Sequence, residues 1–496
     1  MGATPEWDAW LPPAAVSYAP AVPGERQATR TRRRLARWRP SYWPLVLSYI
    51  VILASDFWFT GRYGGRLGWP LTILWTWPIF TTLTGIVGLR RTRRAIRESE
   101  ARWAGRGAPV TNDRLVVVVP TVGRHDTYPA LERSVRSYVA CLPRCFPRLR
   151  VDVVIDEGCE AADRIAALAA GSELVRLVVV PRRYRTAKRT RFKARATHYA
   201  HELRLHEGEA RDDVWVLHMD DDTGVGPDTA LAMARFVEEQ SGAGRHAKHL
   251  AQGMLTYPRE YAVNRLTWLA DAVRPAEDVG RFSAWTGSGT PRAGVHGELL
   301  LVRASIEATI GWDFGPRSLV EDAQFALLFS ARYPGRSGWF AGRCYGASPA
   351  GIRDFFRQRE RWSWGLAALV FNRSLQRRNR LLLGYSVLSW VVGPFQNVGV
   401  VLLIGLLVAD PNTSPETLLV IPLWALNMAY TIWMYWEGLR INATVSAHDR
   451  RRWWEPPAVV LLIPFFGLME GIPGLHGFLK FARRTENRFQ VIAKPS

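Results

Sequence analysis

Two kinds of apolar pattern divide this chain. Long apolar stretches run near both ends, at about 42–60, 69–89, 381–408, 417–436 and 458–481, and all but the last are free of Lys, Arg and Glu. A run of about twenty such residues matches the hydrocarbon thickness of a bilayer, so the stretches predict membrane-spanning helices. From about Asn112 to Gly365 the pattern is shorter and mixed. LVVVVP, VDVVID, LVRLVVVP and VWVLHM have the length and β-branched content of buried strands, and AADRIAALAA and FKARATHYAHEL have helical spacing. This alternation predicts an α/β domain with a largely parallel sheet, whose ligands bind beyond the carboxyl ends of the strands.

The first two apolar stretches read as a helical hairpin joined by GRYGGRLG, and the loop ADPNTSPE, without Lys or Arg, reads as external. IRDFFRQRERWSWGLAALVF mixes Arg with Phe, Trp and Leu and predicts an amphipathic helix at the membrane surface. The last segment contains Pro464, Glu470 and Pro473 and is followed by KFARR. A broken or re-entrant segment is expected there, with a simple fifth span as the alternative. The resulting division is a basic, Pro-rich tail (1–41), a membrane hairpin (42–89), a basic linker (90–111), the α/β domain (112–351), an interface helix (352–380), C-terminal membrane segments (381–481) and a second tail (482–496).

The net charge of +21 invites a nucleic-acid partner, but the arginines gather where apolar runs end, at 30–39, 90–97, 373–380 and 450–452. That is the positive-inside distribution, with lipid headgroups as the counter-charge, and it puts the α/β domain and both tails on the cytoplasmic side. The expected location is a bacterial plasma membrane, with no nucleic acid as partner. Cys141, Cys145, Cys159 and Cys344 lack zinc-ligand spacing and read as free buried thiols. The first forty residues lack an apolar core segment, so no cleavable signal peptide is expected.

Candidate chemistry begins where VWVLHM ends, in Asp220, Asp221 and Asp222. In extended backbone Asp220 and Asp222 point the same way, and two carboxylates converging on one point suit Mg²⁺ or Mn²⁺ shared with a phosphate. Taken alone, the cluster is equally a solvated turn in which Asp caps a helix. Glu321 and Asp322 open an apolar helix, where one carboxylate is commonly an electrostatic cap. Gln358, Arg361 and Trp362 fall at i, i+3 and i+4, so one helical face presents an amide, a cation and an indole.

DDD after a strand, then ED, then QRERW, bracketed by apolar runs, resembles the family 2 inverting glycosyltransferases of GT-A type, whose motifs read DxD, ED and QxxRW. TAKRTRFKARATHYA, QGMLTYPREYAVNRLTWLADAVRPAEDVGRF, HGELLLVRASIE, WDFG and VEDAQFAL are similar to the egghead branch, membrane β-1,4-mannosyltransferases. The resemblance implies a GT-A domain between membrane helices and a metal-dependent transfer of mannose from GDP-mannose to a lipid or glycolipid acceptor. It implies that Asp156 and Glu157 meet the nucleotide, that Lys193 and Arg361 lie near the diphosphate, and that Asp220 and Asp222 hold Mn²⁺ or Mg²⁺. Asp221 turns towards the donor sugar or ribose, Asp322 beside Glu321 is the general base, and Gln358, Arg361 and Trp362 close over donor and acceptor. Trp362, Trp364 and His296 are the candidate acceptor contacts, His296 being equally readable as structural. Trp285 and Trp312 are either sugar platforms or core residues. A processive polysaccharide synthase using a UDP-sugar shares all three motifs and is the alternative enzyme. A scaffold that keeps the fold without catalysis is the non-enzymatic one.

Overall fold

The computed structural model describes residues 39–63, 74, 76–409, 416–443 and 452–485. Among the described residues two helices, α1 (Trp43–Tyr63) and α2 (Ile79–Arg102), precede the α/β domain. The domain opens with β1 (Arg114–Pro120), α3 (Tyr128–Cys141), β2 (Leu149–Asp156), α4 (Ala162–Ala170), β3 (Val175–Val180), α5 (Phe192–His206), β4 (Val214–His218), β5 (Gly224–Val225) and α6 (Pro227–Ser241). After β6 (Leu250–Thr256) comes a run of helical turns: α7 (Arg265–Asp271), α8 (Val273–Glu277), a π-helical turn at Asp278–Phe282, and α9 (Ser283–Thr286). β7 (Leu300–Arg303), α10 (Ala304–Ile310), α11 (Glu321–Arg332) and β8 (Ser337–Tyr345) complete it. Among the described residues four helices follow: α12 (Ile352–Val370), α13 (Arg377–Ala409), α14 (Glu416–Asn442) and α15 (Glu455–Ala482).

The sheet order is β3-β2-β1-β4-β7-β6-β8-β5. β3, β2, β1 and β4 are parallel, as expected, but β7 runs antiparallel to both β4 and β6, and β5 antiparallel to β8. The sheet is therefore mixed. Local pattern encodes that a segment is extended, not which way it runs. β7 returns beside β4 only after the long helical excursion from Arg265 to Thr286, which no periodicity announces. In the parallel half, alternate residues go to opposite faces. Val117, Val119, Trp215 and Leu217 join one core, and Val116, Val118, Val214 and Val216 join the other with Trp312 and Phe325. Burial on both faces explains the unbroken valine runs.

The outer helices depart from expectation in two places, α2 and the last segment. α2 does not stop at Leu89 but runs through the expected linker to Arg102. Its second half, RRTRRAIRESEAR, is rich in helix formers and carries the i,i+4 pair Arg94–Glu98 at 2.6 Å. α12 packs on its neighbours. It is wedged against α15, where Ser363 Oγ donates to the Gly474 carbonyl at 2.5 Å and Gly477, lacking a Cβ, admits the Glu360 carbonyl. The last segment is one continuous helix of 28 residues with Pro464 and Pro473 inside it, not a broken one. Neighbours supply side-chain donors to its carbonyls: Ser363 to Gly474, and Trp390 Nε1 to Glu470 at 2.8 Å.

Among the described residues α15 alone is long and apolar enough to cross a membrane. Apolar side chains also face outward from α1 (Leu47, Ile50, Trp58), α2 (Phe80, Leu83), α13 (Leu381, Phe395), α14 (Leu423) and α15 (Leu461). The tail 1–38, most of the GRYGGRLG turn, most of ADPNTSPE and the C-terminal 486–496 lie outside the described residues. All four cysteines are free; three are buried and Cys159 is half-buried.

Candidate active site

β1 and β4 lie side by side with Val118 opposite His218, so the chain leaves both strands at the same edge. Asp220, Asp221 and Asp222 occupy the turn between β4 and β5. They are not in extended backbone, so strand alternation does not orient them. Each is aimed by what surrounds it. Asp221 accepts a hydrogen bond from Thr121 Oγ1, just beyond β1, at 2.6 Å. Asp222 is buried, with Thr223 Oγ1 at 3.4 Å from Oδ1. Asp220 pairs with Lys193 from the first turn of α5.

Lys193 gathers the site. Its Nζ lies 3.6 Å from Glu321 Oε1 at the start of α11. A Cβ placed on Gly297 would meet Lys193 Nζ at 2.6 Å, Asp322 Oδ2 at 3.3 Å and Asp220 Oδ1 at 3.5 Å. Three charged groups from three elements thus point into one small space, which stays open because residue 297 has no side chain. Burial works against the Lys193 ammonium, but Asp220, Glu321 and Asp322 outweigh it and hold its pKa above the ordinary lysine value.

Asp322 accepts the Ala323 N–H at 2.8 Å, and burial, with the Glu321 charge, pushes its carboxyl up to about 6 against the pull of Lys193. Glu298, beside Gly297, is pushed up to about 8 by burial and then by Asp220. His296 bonds Asp278 at 2.6 Å; burial opposes its charged form, but Asp278 prevails and raises it to about 9. Asp278 is itself held by the Leu255 N–H at 2.8 Å, so the imidazole is anchored to β6.

These groups line one cavity of about 690 Å³. At its sheet end stand Asp156, Lys193, Asp220, Asp221, Asp222, His296, Glu298, Glu321 and Asp322. Gln358, Arg361 and Trp362 form its middle wall, so the face inferred from their spacing does line one space. Burial lowers the Arg361 pKa, but a guanidinium stays charged at any working pH. The cavity continues past Asp271, Arg274, Glu277 and Arg281 to Ser386, Trp390, Tyr435 and Glu470 on α13, α14 and α15.

Asp156 sits at the mouth, largely exposed, with Arg195 Nη1 at 2.5 Å. Two expected contacts fall outside the lining. Glu157 faces away and accepts the Arg182 N–H at 2.8 Å, because the residue after a strand end turns to the other side. Trp364, two residues past Trp362 on a helix and so about 200° round it, donates to the Thr485 carbonyl at 3.1 Å and packs on Phe481. Trp312 is core: it stacks on Phe325 and donates to the buried Glu307 at 2.7 Å. Trp285 lies outside the main cavity.

Sequence reasoning passed over Thr121, Glu298, Asp271, Arg274 and Glu470. Thr121 follows a strand end, where ligands were expected. Glu470 stood out as a carboxylate in an apolar helix, itself a functional signal. Asp271 and Arg274 lie in the stretch QGMLTYPREYAVNRLTWLADAVRPAEDVGRF, whose family likeness named no role for either.

For a cation, Asp220 and Asp222 offer hard oxygens on the cavity wall. Among the described residues no group of three or more His, Cys, Asp or Glu side chains is arranged to hold a metal. Two carboxylates fit an ion whose other ligands come from a bound phosphate and water better than a closed protein cage.

Residues 215–436 match the family model described as glycosyl transferase family group 2. That segment is similar to the glycosyl transferase family group 2. The match begins at β4 and takes in Asp220–Asp222, Glu321–Asp322 and Gln358–Trp362, but not Asp156 or Lys193. The chain is 28% identical over 301 residues to β-1,4-mannosyltransferase egh of Drosophila melanogaster, covering 60% of this chain and 61% of that protein. It is 29% identical over 230 residues to β-1,4-mannosyltransferase bre-3 of Caenorhabditis elegans, covering 46% and 49%. The similarity thus spans about three fifths or less of the length of these curated relatives. Among solved structures, mannosyltransferase PcManGT from Pyrobaculum calidifontis, in complex with GDP-Man and Mn²⁺, aligns at 16% identity with a TM-score of 0.43, over 84% of this chain and 99% of that one. S. aureus TarS 1–349 aligns at 12% identity and a TM-score of 0.32, over 76% and 94%.

Proposed function

We propose that this glycosyltransferase moves mannose from GDP-mannose, with inversion, to a hydroxyl of a lipid or glycolipid acceptor at a membrane. The observation that carries this reading is the single cavity that joins the Asp220–Lys193–Asp322 cluster to side chains of α13, α14 and α15. A soluble donor can enter at the Asp156 mouth and an acceptor head group from the helix end. The outward apolar faces of α1, α2, α13, α14 and α15 support a bilayer around those helices.

In the proposed reaction an acceptor hydroxyl oxygen attacks the anomeric carbon. The new C–O bond forms as the bond to the diphosphate oxygen breaks, the electron pair leaves with GDP, and the hydroxyl proton passes to Asp322. Burial suits Asp322 to this, since a carboxylate with a raised pKa is a stronger base than one in water. Lys193 and Arg361 would oppose charge growing on the diphosphate. Asp220 and Asp222 would hold Mn²⁺ or Mg²⁺, and a bound cation supplies further neutralisation of the leaving group. One displacement inverts the centre, so no covalent nucleophile is needed.

The test is nucleotide release from a panel of GDP- and UDP-sugars by the full chain in nanodiscs, followed by sizing of the product. GDP release selective for GDP-mannose, with addition of one sugar, is expected. Preference for a UDP-sugar with a ladder of products would favour a processive synthase, and no binding of any nucleotide sugar would favour a non-catalytic scaffold.

A further inference from the structure

Gln358, Arg361 and Trp362 face the cavity, but the residue between them that the structure invests in most heavily does not. Arg359 is fully buried and absent from the cavity wall. Every part of its guanidinium is engaged. Nε and Nη2 donate to Glu470 on α15, at 3.0 Å and 2.9 Å to Oε1. Nη2 also reaches Asp271 of α7, and Nη1 donates to the Gln358 side-chain oxygen. The guanidinium carbon stands 4.7 Å from the centre of the Trp362 ring, and Arg274, itself 3.4 Å from Glu470, stands 4.8 Å from the same ring.

We propose that Arg359 is a positioning residue that fixes the orientation of the Gln358 amide, and with Arg274 the pose of Trp362, for glycosyl transfer. A guanidinium has donors and no acceptor, so Gln358 must turn its oxygen towards Arg359. Its NH₂ is then presented to the cavity, and Gln358 becomes an obligate hydrogen-bond donor to an oxygen of the bound substrate. Without Arg359 the amide can flip and present the wrong group. Asp271 and Glu470 hold Arg359 in place from α7 and α15, which makes the apolar last helix part of the support of the active-site wall. A planar guanidinium can bond Glu470, Asp271 and Gln358 at once, whereas a lysine ammonium is a compact point charge that cannot span all three.

This inference rests on the transferase reading above. It is tested with the full chain in nanodiscs, using GDP-mannose as the probe, by measuring GDP-mannose binding and the rate of GDP release in a four-member cycle: parent, R359K, Q358A and the double variant. Arg359 acting through Gln358 predicts that R359K lowers kcat at least tenfold in the parent and less than twofold on the Q358A background, with GDP-mannose affinity within threefold throughout. An equal fall on both backgrounds, or a fall in affinity that accounts for the lost rate, overturns the proposal. Should R359K not fold, E470Q loosens Arg359 from the far side while keeping its shape. The same pattern of non-additivity with Q358A is expected, at about threefold, and additivity there equally overturns the proposal. A parent protein that neither binds nor turns over GDP-mannose refutes the transferase reading itself, and this inference with it.

Discussion

At the sheet end of the cavity the carboxylates of Asp220, Asp221, Asp222, Glu298, Glu321 and Asp322 outnumber the cations near them, Lys193, Arg361, the imidazolium of His296 and Arg133 beside Asp222. At the helix end Asp271, Glu277 and Glu470 meet Arg274, Arg281 and Arg359 in close pairs. An excess of buried negative charge is costly unless something neutralises it, and here it pushes Asp322 and Glu298 upward. Balanced pairs need no such partner, and they hold side chains still. The two ends therefore suit different tasks: one to receive a cation with a charged donor and to move a proton, the other to shape a neutral surface around an acceptor.

The strongest way to break this contrast is at the base. Asp322→Asn keeps the shape and removes the proton acceptor, so transfer should fall by about 10³-fold while GDP-mannose affinity changes little, as read from kcat and equilibrium binding. Parallel loss of affinity would assign Asp322 to donor binding instead. Next in size is the charge excess itself. Chelation with EDTA, or Asp222→Ala, should weaken GDP-mannose binding by about fiftyfold, and Mn²⁺ should restore it in the parent but not in the variant. Donor binding indifferent to chelator would remove the metal from the scheme.

Acid sharpens the same end. As the proposed base Asp322 would work only when ionised, and burial raises its pKa to about 6, so activity should rise with pH through that value and at pH 5 stand about tenfold below its plateau. An acid limb near 4 would mean that burial does not tune this group. The smallest effect is expected at the helix end. Arg274→Gln removes one cation from the face of Trp362 and should raise the acceptor KM about fivefold, ~1 kcal/mol, with donor affinity unchanged. A larger effect on donor than on acceptor would erase the division between the two ends.

Much of the site was legible because short motifs carry it. DDD followed a recognisable strand, ED opened a recognisable helix, and the spacing of Gln358, Arg361 and Trp362 fixed their common face. What was missed has a common cause. Glu157 and Trp364 are neighbours in sequence of true lining residues, yet the backbone turns them away. Thr121, Asp271 and Glu470 come to the site from β1, α7 and α15, far apart in the chain. The broken last segment was inferred from its prolines, whereas the helix runs on through both of them, packed against α12 and α13.

By itself, the sequence determined which segments of the first half of the sheet are strands, the helices that flank them and the residue types of the motifs, because periodicity and β-branching act over a few residues. Only the tertiary structure decided that β7 runs antiparallel, that Gly297 leaves room for Lys193, Asp220 and Asp322 to meet, and that Arg359 turns inward to hold Gln358. Those depend on distances between elements tens of residues to more than a hundred residues apart, which the local preferences of each element do not encode.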